Sequence, residues 1–422
     1  MYNNKPSGSN AIIICERNIE LTFYLGRKTI RKVPGTVIKA APLPKPELIQ
    51  GYGTRDRAGK FCADAGYSSA LLVTDDTLFG LGYHKKVVES LEKNGVRCTV
   101  FHDINSEPTV DIVSAGRKAA IDCGADCIVA LGGGSVLDCS KIVAASAKHP
   151  HLPLGHYLHK FAIAEGGTLP MINIPSTAGT GAECTVGAVI KNRSGAKNST
   201  VIIGLDVAYV ILDSELLISA PQSVTAWCAV DALSHGLEGL LADVGSTDED
   251  IHKSRECVRL VLENLPLLLE DPKNIEARQA TLLAAHYGGN AINTQLAGYV
   301  HAFAHSIGAM YHIPHGKAIA WCLIPVISAQ EYSRCEEMAE LARYCHLADD
   351  SDSAETASDK LIAALAELLD KCGLEKGCPM LKEKNYDKLT RMIDSDSINY
   401  SSSRTLTDSE IKMLLDQIRR GH

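Results

Sequence analysis

VALGGGSVLDCSK, residues 129–141, is the stretch from which the fold of this sequence can be predicted. A β-branched run leads into three consecutive glycines, Gly132, Gly133 and Gly134, and Ser135 then lies near the start of a predicted helix. Glycines let the backbone approach a phosphate closely, and a helix N-terminus presents unpaired N–H groups and a positive dipole end to an anion. A plain tight turn is the alternative. Three successive glycines exceed what such a turn requires, so a phosphate-binding loop is favoured.

The sequence around this stretch alternates short β-branched runs with helical stretches. Strands are predicted at 68–75, 96–103, 125–134 and 168–177, and helices at 77–95 and 109–123. This alternation is typical of a parallel sheet with right-handed crossovers. From about residue 222 onward, strand-like runs disappear and apolar residues recur at helical spacing. The prediction is an α/β N-terminal domain with a parallel, Rossmann-like sheet at 37–220 and an all-α C-terminal domain at 221–422. Residues 1–36 form a separate extension, interpreted as a hairpin or a partner-contacting arm.

Composition excludes several classes of partner. The chain has 422 residues, a formal net charge of −8 and 22% charged residues, without a useful Lys/Arg run. Nucleic acids and anionic membranes attract basic patches, so neither is an expected partner. An uninterrupted apolar stretch of about 18 residues, the length that spans a bilayer, is missing from the sequence. The 14 cysteines without a C-x-x-C pair or an export signal indicate reduced thiols and a cytoplasmic protein.

A second candidate loop, PSTAGTGAE at 175–183, also follows a predicted strand. Thr177 and Thr180 offer hydroxyl groups there, although the loop does not fit the G-x-G-x-x-G pattern. Asp75 ends the strand SSALLVTD, where a carboxylate can bind ribose hydroxyls and repel a 2′-phosphate. Capping of the following helix is an equally good interpretation of Asp75. Two phosphate-like loops after successive strands favour a dinucleotide ligand.

Histidines and one aspartate concentrate in the helical half. HAFAHSIGAMYHIPHG, residues 301–316, contains four histidines, and VDALSHGLEG, residues 230–239, adds an Asp–His pair. Each of the pairs Asp231/His235 and His301/His305 is spaced four apart and shares one helix face, while His315 follows a turn at Pro314. Carboxylate and imidazole ligands from separate helices suit a divalent metal ion. A surface hydrogen bond or buried core histidines are the alternatives, and spacing does not say which of the five side chains ligate.

Together these stretches resemble the iron-containing (group III) metal-dependent alcohol dehydrogenase family, from GYGTRDRAG (51–59) to the helices beyond 330. The resemblance implies a dinucleotide-binding domain, a helical metal-binding domain and an active site in the cleft between them. It also implies a homodimer or higher homo-oligomer. When the motifs are matched position by position, the resemblance implies that the metal ligands are Asp231, His235, His301 and His315. It implies that His305 is a catalytic side chain that does not bind the metal.

The resemblance also assigns cofactor contacts. It implies NAD rather than NADP because of Asp75, and one divalent metal ion, Fe²⁺ before Zn²⁺. The other cofactor-binding residues that it implies are Gly132, Gly133, Gly134, Ser135, Asp138, Thr177, Thr180 and Lys197. The chain departs from the family pattern at Val136 in place of proline, at Ala229 in place of glycine, and after PHG, where the usual Asn and His are missing. These departures leave the metal set intact and affect the substrate more than the reaction.

The expected function is reversible hydride transfer between a small primary alcohol or aldehyde and NAD(H), with the metal polarising the substrate oxygen. A polyol (glycerol-type) dehydrogenase and a maleylacetate reductase are alternatives within the family. A lyase of the dehydroquinate synthase type would need basic residues for a substrate phosphate, and Lys317 is the only evident candidate. A catalytically silent nucleotide-binding protein is the alternative from another class.

Overall fold

The structure is a computed structural model that describes residues 43–421 apart from 105, 106, 194, 196, 243–245, 398, 399, 401 and 403. The predicted extension at 1–36 lies outside the described residues. The strands are β1 Glu47–Gln50, β2 Ser69–Asp75, β3 Arg97–Ile104, β4 Cys127–Gly132, β5 Phe161–Ile163, β6 Met171–Pro175, β7 Gly187–Lys191, β8 Lys197–Ile203 and β9 Val207–Leu212.

The helices follow the alternation that the sequence predicts. In the first half they are α1 Ala58–Asp64, α2 Asp76–Gly80, α3 His84–Lys93, α4 Val110–Asp122 and α5 Gly134–Lys148. In the second half they are α6 Gln222–Leu240, α7 Asp248–Glu270, α8 Ile275–Gln295, α9 Tyr299–Tyr311, α10 His315–Tyr344, α11 Ala354–Lys371, α12 Tyr386–Ser397 and α13 Asp408–Arg420. The helix predicted at 77–95 is two helices, α2 and α3, because the segment 81–83 turns between them.

Six strands form one parallel sheet in the order β1-β9-β6-β4-β2-β3. The predicted fold class, a parallel α/β domain followed by a helical domain, is confirmed. The central strands are largely apolar and almost entirely buried because helices cover both faces of the sheet. Leu71 and Ile128 pack into the core on one face, and Leu72 and Val129 into the core on the other.

A second, smaller sheet was not predicted. It has the order β5-β8-β7, with β5 parallel and β7 antiparallel to β8. It lies beside α5, since Val189 on β7 donates a backbone hydrogen bond to Asp138 on that helix.

The parallel sheet places the first candidate residues together. The carboxyl ends of parallel strands lie at one edge, which is where α/β sheets bind ligands. Gly132 at the end of β4 is in register with Pro175 at the end of β6, and neighbouring β2 ends at Asp75. Both glycine loops and Asp75 therefore share that edge.

The change from strands to helices occurs between Leu212, the end of β9, and Gln222, the start of α6 after Pro221. The domain boundary at 220/221 falls in this interval and stays a prediction. In the part of the chain that the structure describes, the helices are too short or too polar to cross a bilayer.

Candidate functional site

The two glycine loops touch each other. A Cβ on Gly133 would lie 3.3 Å from Thr177 Cγ2, and a Cβ on Gly134 would lie 3.2 Å from Thr180 Oγ1. Gly133 is the extended N-cap of α5 and makes no side-chain capping hydrogen bond. The first turn of α5 therefore has no side-chain cap and lies beside the two threonines, an arrangement that suits an anionic ligand.

Asp138 and Lys141 tie α5 to the small sheet. Asp138 Oδ2 accepts a 2.8 Å hydrogen bond from Val189 N, and Lys141 Nζ lies 3.3 Å from Asp138 Oδ1. Lys141 Nζ also donates to Gly187 O at 2.6 Å. Burial raises the pKa of Asp138 despite this lysine. Both carboxylate oxygens already have protein partners, and the cofactor contact expected of Asp138 stays a prediction.

Asp75 and Lys197 are engaged within the protein. Asp75 caps α2 by accepting a 2.8 Å hydrogen bond from Leu78 N, so the capping interpretation is confirmed. The same carboxylate lies at the ligand edge of the sheet, and its contact with a ribose stays a prediction. Lys197 begins β8 with 53% of its side chain exposed and pairs with Glu107 at 2.5 Å. Its predicted nicotinamide contact stays a prediction, since an ammonium group has three N–H donors and Glu107 occupies only part of them.

The second loop also contacts the helical domain. Gly181 has φ +58°, and a Cβ there would lie 2.4 Å from Gly289 Cα on α8. A Cβ on Gly179 would lie 3.0 Å from Cys228 Cα on α6, three residues before Asp231. The loop at the dinucleotide edge of the sheet therefore packs directly against α6, the helix that carries Asp231.

Asp and His residues of three helices converge next to this contact. His301 Nε2 lies 3.0 Å from His235 Nε2 and 3.7 Å from Asp231 Oδ1. His315, the first residue of α10, places Nε2 3.1 Å from Asp231 Oδ1. Asp231, His301 and His315 each present a ligand atom within 4.8 Å of the others, and His235 Nε2 lies 3.6 Å from Asp231 Oδ1. The four predicted ligands are therefore brought together.

Glu238 orients one of these imidazoles. Its Oε2 lies 2.5 Å from His301 Nδ1, and its Oε1 accepts a 2.6 Å hydrogen bond from Val300 N. A Cβ on Gly298 would lie 2.8 Å from Glu238 Oε1, so glycine is needed there. A carboxylate holds the proton on Nδ1, which directs Nε2 of His301 towards the cluster.

The electrostatics of the cluster favour a cation. Burial opposes ionisation of Asp231, but the imidazoles of His235 and His315 outweigh it and hold its pKa well below the usual range. Burial lowers the pKa of His235 to about 4. Burial also opposes the charge on His301, yet Glu238 and Asp231 raise its pKa to about 10. Two buried carboxylates thus stabilise positive charge between them.

His305 stands beside the cluster, one helical turn beyond His301. Its ring centroid is 5.1 Å from that of His315 and 5.7 Å from that of His301. Its Nδ1 lies 3.2 Å from Asp396 Oδ2 on α12 and 2.8 Å from the OH of Tyr400, which follows that helix. His305 is not part of the group of converging ligand atoms. His312, by contrast, is exposed and caps α9 in the left-handed conformation, with φ 56°.

The sequence matches two family models over most of its length. The first is described as iron-containing alcohol dehydrogenase and matches residues 45–214, and the second is described as Fe-containing alcohol dehydrogenase family, C-terminal, and matches residues 225–418. The chain belongs to the iron-containing alcohol dehydrogenase family. The resemblance predicted from the sequence motifs is confirmed, and the family consists of oxidoreductases that act on CH–OH groups.

Individual relatives agree with this family. Bifunctional aldehyde-alcohol dehydrogenase AdhE of Escherichia coli (strain K12) is 30% identical over 383 residues, which cover 83% of this chain and 43% of AdhE. Probable alcohol dehydrogenase EutG of Salmonella typhimurium is 30% identical over 381 residues, covering 89% of this chain and 93% of EutG. The chain therefore spans less than half of AdhE but nearly all of EutG. A crystal structure of 1,3-propanediol oxidoreductase aligns with a TM-score of 0.83 and 27% identity, covering 90% of this chain and 99% of the other.

The donor set suits the metal for which the iron-containing family is named. One carboxylate oxygen and three imidazole nitrogens form a mixed O/N set for a borderline divalent ion such as Fe²⁺ or Zn²⁺. With Nδ1–H of His301 given to Glu238, its Nε2 lies 3.0 Å from that of His235, and the raised pKa of His301 means that a proton occupies this contact at neutral pH. A divalent cation would replace that proton, and the two nitrogens would then both be ligands. The residues present therefore fit a divalent metal ion.

A second group of potential ligands lies nearby but has a simpler explanation. Glu183, Cys184 and His286 are buried with ligand atoms within 4.8 Å of one another. Cys184 Sγ donates to the carbonyls of Gly181 and His286, and burial raises the pKa of its thiol well above the usual value. Since the thiolate is the form that binds metals, we interpret this group as packing between the second loop and α8.

Sequence reasoning missed three residues of the site. Glu238 is seven residues after Asp231 and three after His235, so it lies on the same face of α6. This spacing could have revealed it. Asp396 and Tyr400 carry no comparable signal, since their partner His305 is 91 and 95 residues away in sequence.

Proposed function

We propose that this chain is an NAD-dependent, divalent-metal-dependent alcohol dehydrogenase or aldehyde reductase, which transfers hydride between a small primary alcohol or aldehyde and NAD(H). The observation that carries the proposal is the contact of Gly179 with Cys228, because it joins the dinucleotide edge to the helix of Asp231. A cofactor at the glycine loops and a substrate at the polar cluster would then share one cleft. Proximity of this kind is what hydride transfer requires.

The residues that would hold NAD lie on the two loops. The backbone of Gly132, Gly133, Gly134 and Ser135 would bind the pyrophosphate at the start of α5. Thr177 and Thr180 would contribute hydroxyl groups from the facing loop. Asp75 would accept from the adenosine ribose and repel a 2′-phosphate, which supports NAD over NADP.

The residues that would hold the metal are Asp231, His235, His301 and His315, with Fe²⁺ the first candidate and Zn²⁺ the second. The bound ion supplies a Lewis acid for the substrate oxygen. Glu238 keeps His301 in the ligating tautomer. His305, beside the ligands without converging on them, would exchange a hydrogen bond with the substrate hydroxyl and pass its proton towards the exposed mouth of the cleft.

A lyase acting on a phosphorylated substrate receives less support. Lys317, the basic residue considered for that role, pairs with Glu375 at 3.1 Å and stacks over Trp321 at 5.2 Å from the ring centroid. Its ammonium is therefore already engaged.

The experiment combines metal analysis with a substrate screen. We expect protein purified without added metal, then loaded with Fe²⁺ or Zn²⁺, to oxidise NADH with short aldehydes, followed by NADH absorbance. His301→Ala should lose bound metal and turnover together. His312→Asn is the matched control from the same stretch, and it should retain both because His312 is exposed and Asn tolerates its left-handed backbone. Full turnover by a metal-free His301→Ala variant would refute the ligand assignment.

A further inference from the structure

His305 is held from outside the cluster by a carboxylate and a phenol. Asp396 is on α12 and Tyr400 is on the segment that follows this helix. Asp396 Oδ2 lies 3.2 Å and Tyr400 OH 2.8 Å from His305 Nδ1. Tyr400 OH also lies 3.3 Å from Asp396 Oδ2, so the three groups form a closed triangle of polar contacts.

One assignment of protons satisfies all three contacts. If Nδ1 of His305 carried a lone pair, it would face the lone pairs of the Asp396 carboxylate at 3.2 Å, which is repulsive. With Nδ1–H, the imidazole donates to Asp396 and to the Tyr400 oxygen, and the Tyr400 hydroxyl donates to Asp396. A carboxylate on one ring nitrogen thereby selects the tautomer in which the other nitrogen is the acceptor.

We propose that Asp396 and Tyr400 are positioning residues that fix His305 as the Nδ1–H tautomer and reserve its Nε2 lone pair for the substrate hydroxyl. The inference rests on the proposed function for the identity of that hydroxyl, but not for the tautomer. It assigns to α12 and the segment after it a part in the reaction, although neither belongs to the cofactor edge or the ligand set.

The geometry distinguishes the roles of the two residues. Asp396 determines the tautomer through its charge, so Asp396→Asn would let the amide N–H₂ donate to Nδ1 and move the ring proton to Nε2. Tyr400 restrains the ring and contributes one hydrogen bond, so Tyr400→Phe removes the hydroxyl while the tautomer is kept. Asp387→Asn is the matched control, because Asp387 is on the same helix with 73% of its side chain exposed and pairs with Lys412.

The first readout does not require turnover. Long-range ¹⁵N–¹H NMR of the Zn²⁺-loaded full chain reports the tautomer of each histidine, and His305→Gln identifies the His305 signals. We expect wild type, Tyr400→Phe and Asp387→Asn to show Nδ1–H with an unprotonated Nε2, and Asp396→Asn to show the opposite tautomer. An Nε2–H tautomer in the wild-type protein would overturn the proposal even if every variant failed to fold.

The second readout separates positioning from folding and binding. Asp396→Asn should lower kcat about 100-fold and Tyr400→Phe about tenfold, within the range that general acid–base groups contribute, with KM for NAD and metal content unchanged. Asp396→Glu should restore part of kcat, and Asp387→Asn should match wild type. Wild-type kcat in Asp396→Asn would overturn the proposal. If the wild-type protein turned over no alcohol or aldehyde, the proposed function would fail, while the NMR result would still decide the tautomer.

Discussion

Glu238→Gln is the substitution that most directly tests how the cluster binds a cation. Glutamine keeps the shape of Glu238 and one carbonyl oxygen, which can accept from Val300 N in place of Oε1 at 2.6 Å. Its amide N–H₂ would then face His301 Nδ1, where the carboxylate now accepts at 2.5 Å. Two donors cannot share that position, so the imidazole would move its proton to Nε2 and present N–H to the metal position.

The expected loss can be estimated from the role of this carboxylate. Removing an outer partner of a ligating histidine lowers metal affinity by about 10–100-fold. Since each factor of ten corresponds to about 1.4 kcal/mol, the loss is roughly 1.4–2.8 kcal/mol of binding free energy. Folding should change less than metal binding, because the side-chain volume and one of the two hydrogen bonds remain.

The assay is a competition titration of metal-depleted protein with Zn²⁺ against a chromogenic chelator at constant pH. Glu256→Gln is the control, since Glu256 also accepts hydrogen bonds, from Arg259 and Tyr344, on a helix of the same domain. We expect wild-type Zn²⁺ affinity in this control. The reasoning is refuted if Glu238→Gln binds Zn²⁺ within about twofold of wild type, because the tautomer would then not matter.

Three further substitutions test other parts of the molecule. Gly181→Ala should lower the free energy of unfolding, measured by urea denaturation, by at least about 2 kcal/mol, because backbone strain at φ +58° adds to a 2.4 Å clash of the new Cβ. Gly66→Ala is the control: it has φ +82° but open space around the Cβ, so it should lower the free energy of unfolding by only about 1 kcal/mol. Asp75→Ser keeps a capping side chain but removes the charge, so the ratio of kcat/KM for NADP to that for NAD should rise at least about tenfold, and an unchanged ratio would contradict the ribose role. Lys141→Ala leaves the carboxylate of Asp138 without its cation and should lower the free energy of unfolding by about 3–5 kcal/mol, while a loss under about 1 kcal/mol would show that the pair is weak.

Local patterns made the parallel sheet and both glycine loops predictable. A strand buried on both faces is a continuous apolar run, and glycines followed by helical periodicity show where it ends. The approach of Asp231 to His235 follows from their spacing on one helix. The prediction that these two residues meet His301 and His315 depended on the family resemblance, because helix spacing alone does not show which side chains are ligands.

What could not be predicted depends on contacts between distant segments. The small sheet consists of short strands, and β5, with three residues, is too short for a periodic pattern. Glu238 is 63 residues from its partner His301, and the contact arises only when α6 and α9 pack together. Asp396 and Tyr400 meet His305 through the packing of α12 and the residues beyond it, which the sequence does not specify locally.

The backbone contact between Gly181 and Gly289 has an evolutionary consequence. The two backbones touch without any side chain between them, so a larger residue at either position would clash with the opposite backbone. Small side-chain changes therefore cannot adjust the distance between the second loop and α8 at that point. Changes in sequence at this contact between segments must instead occur at surrounding positions, where side chains and not backbones meet. Descendants of this chain would therefore keep glycine at 181 and 289 while the side chains around this contact vary.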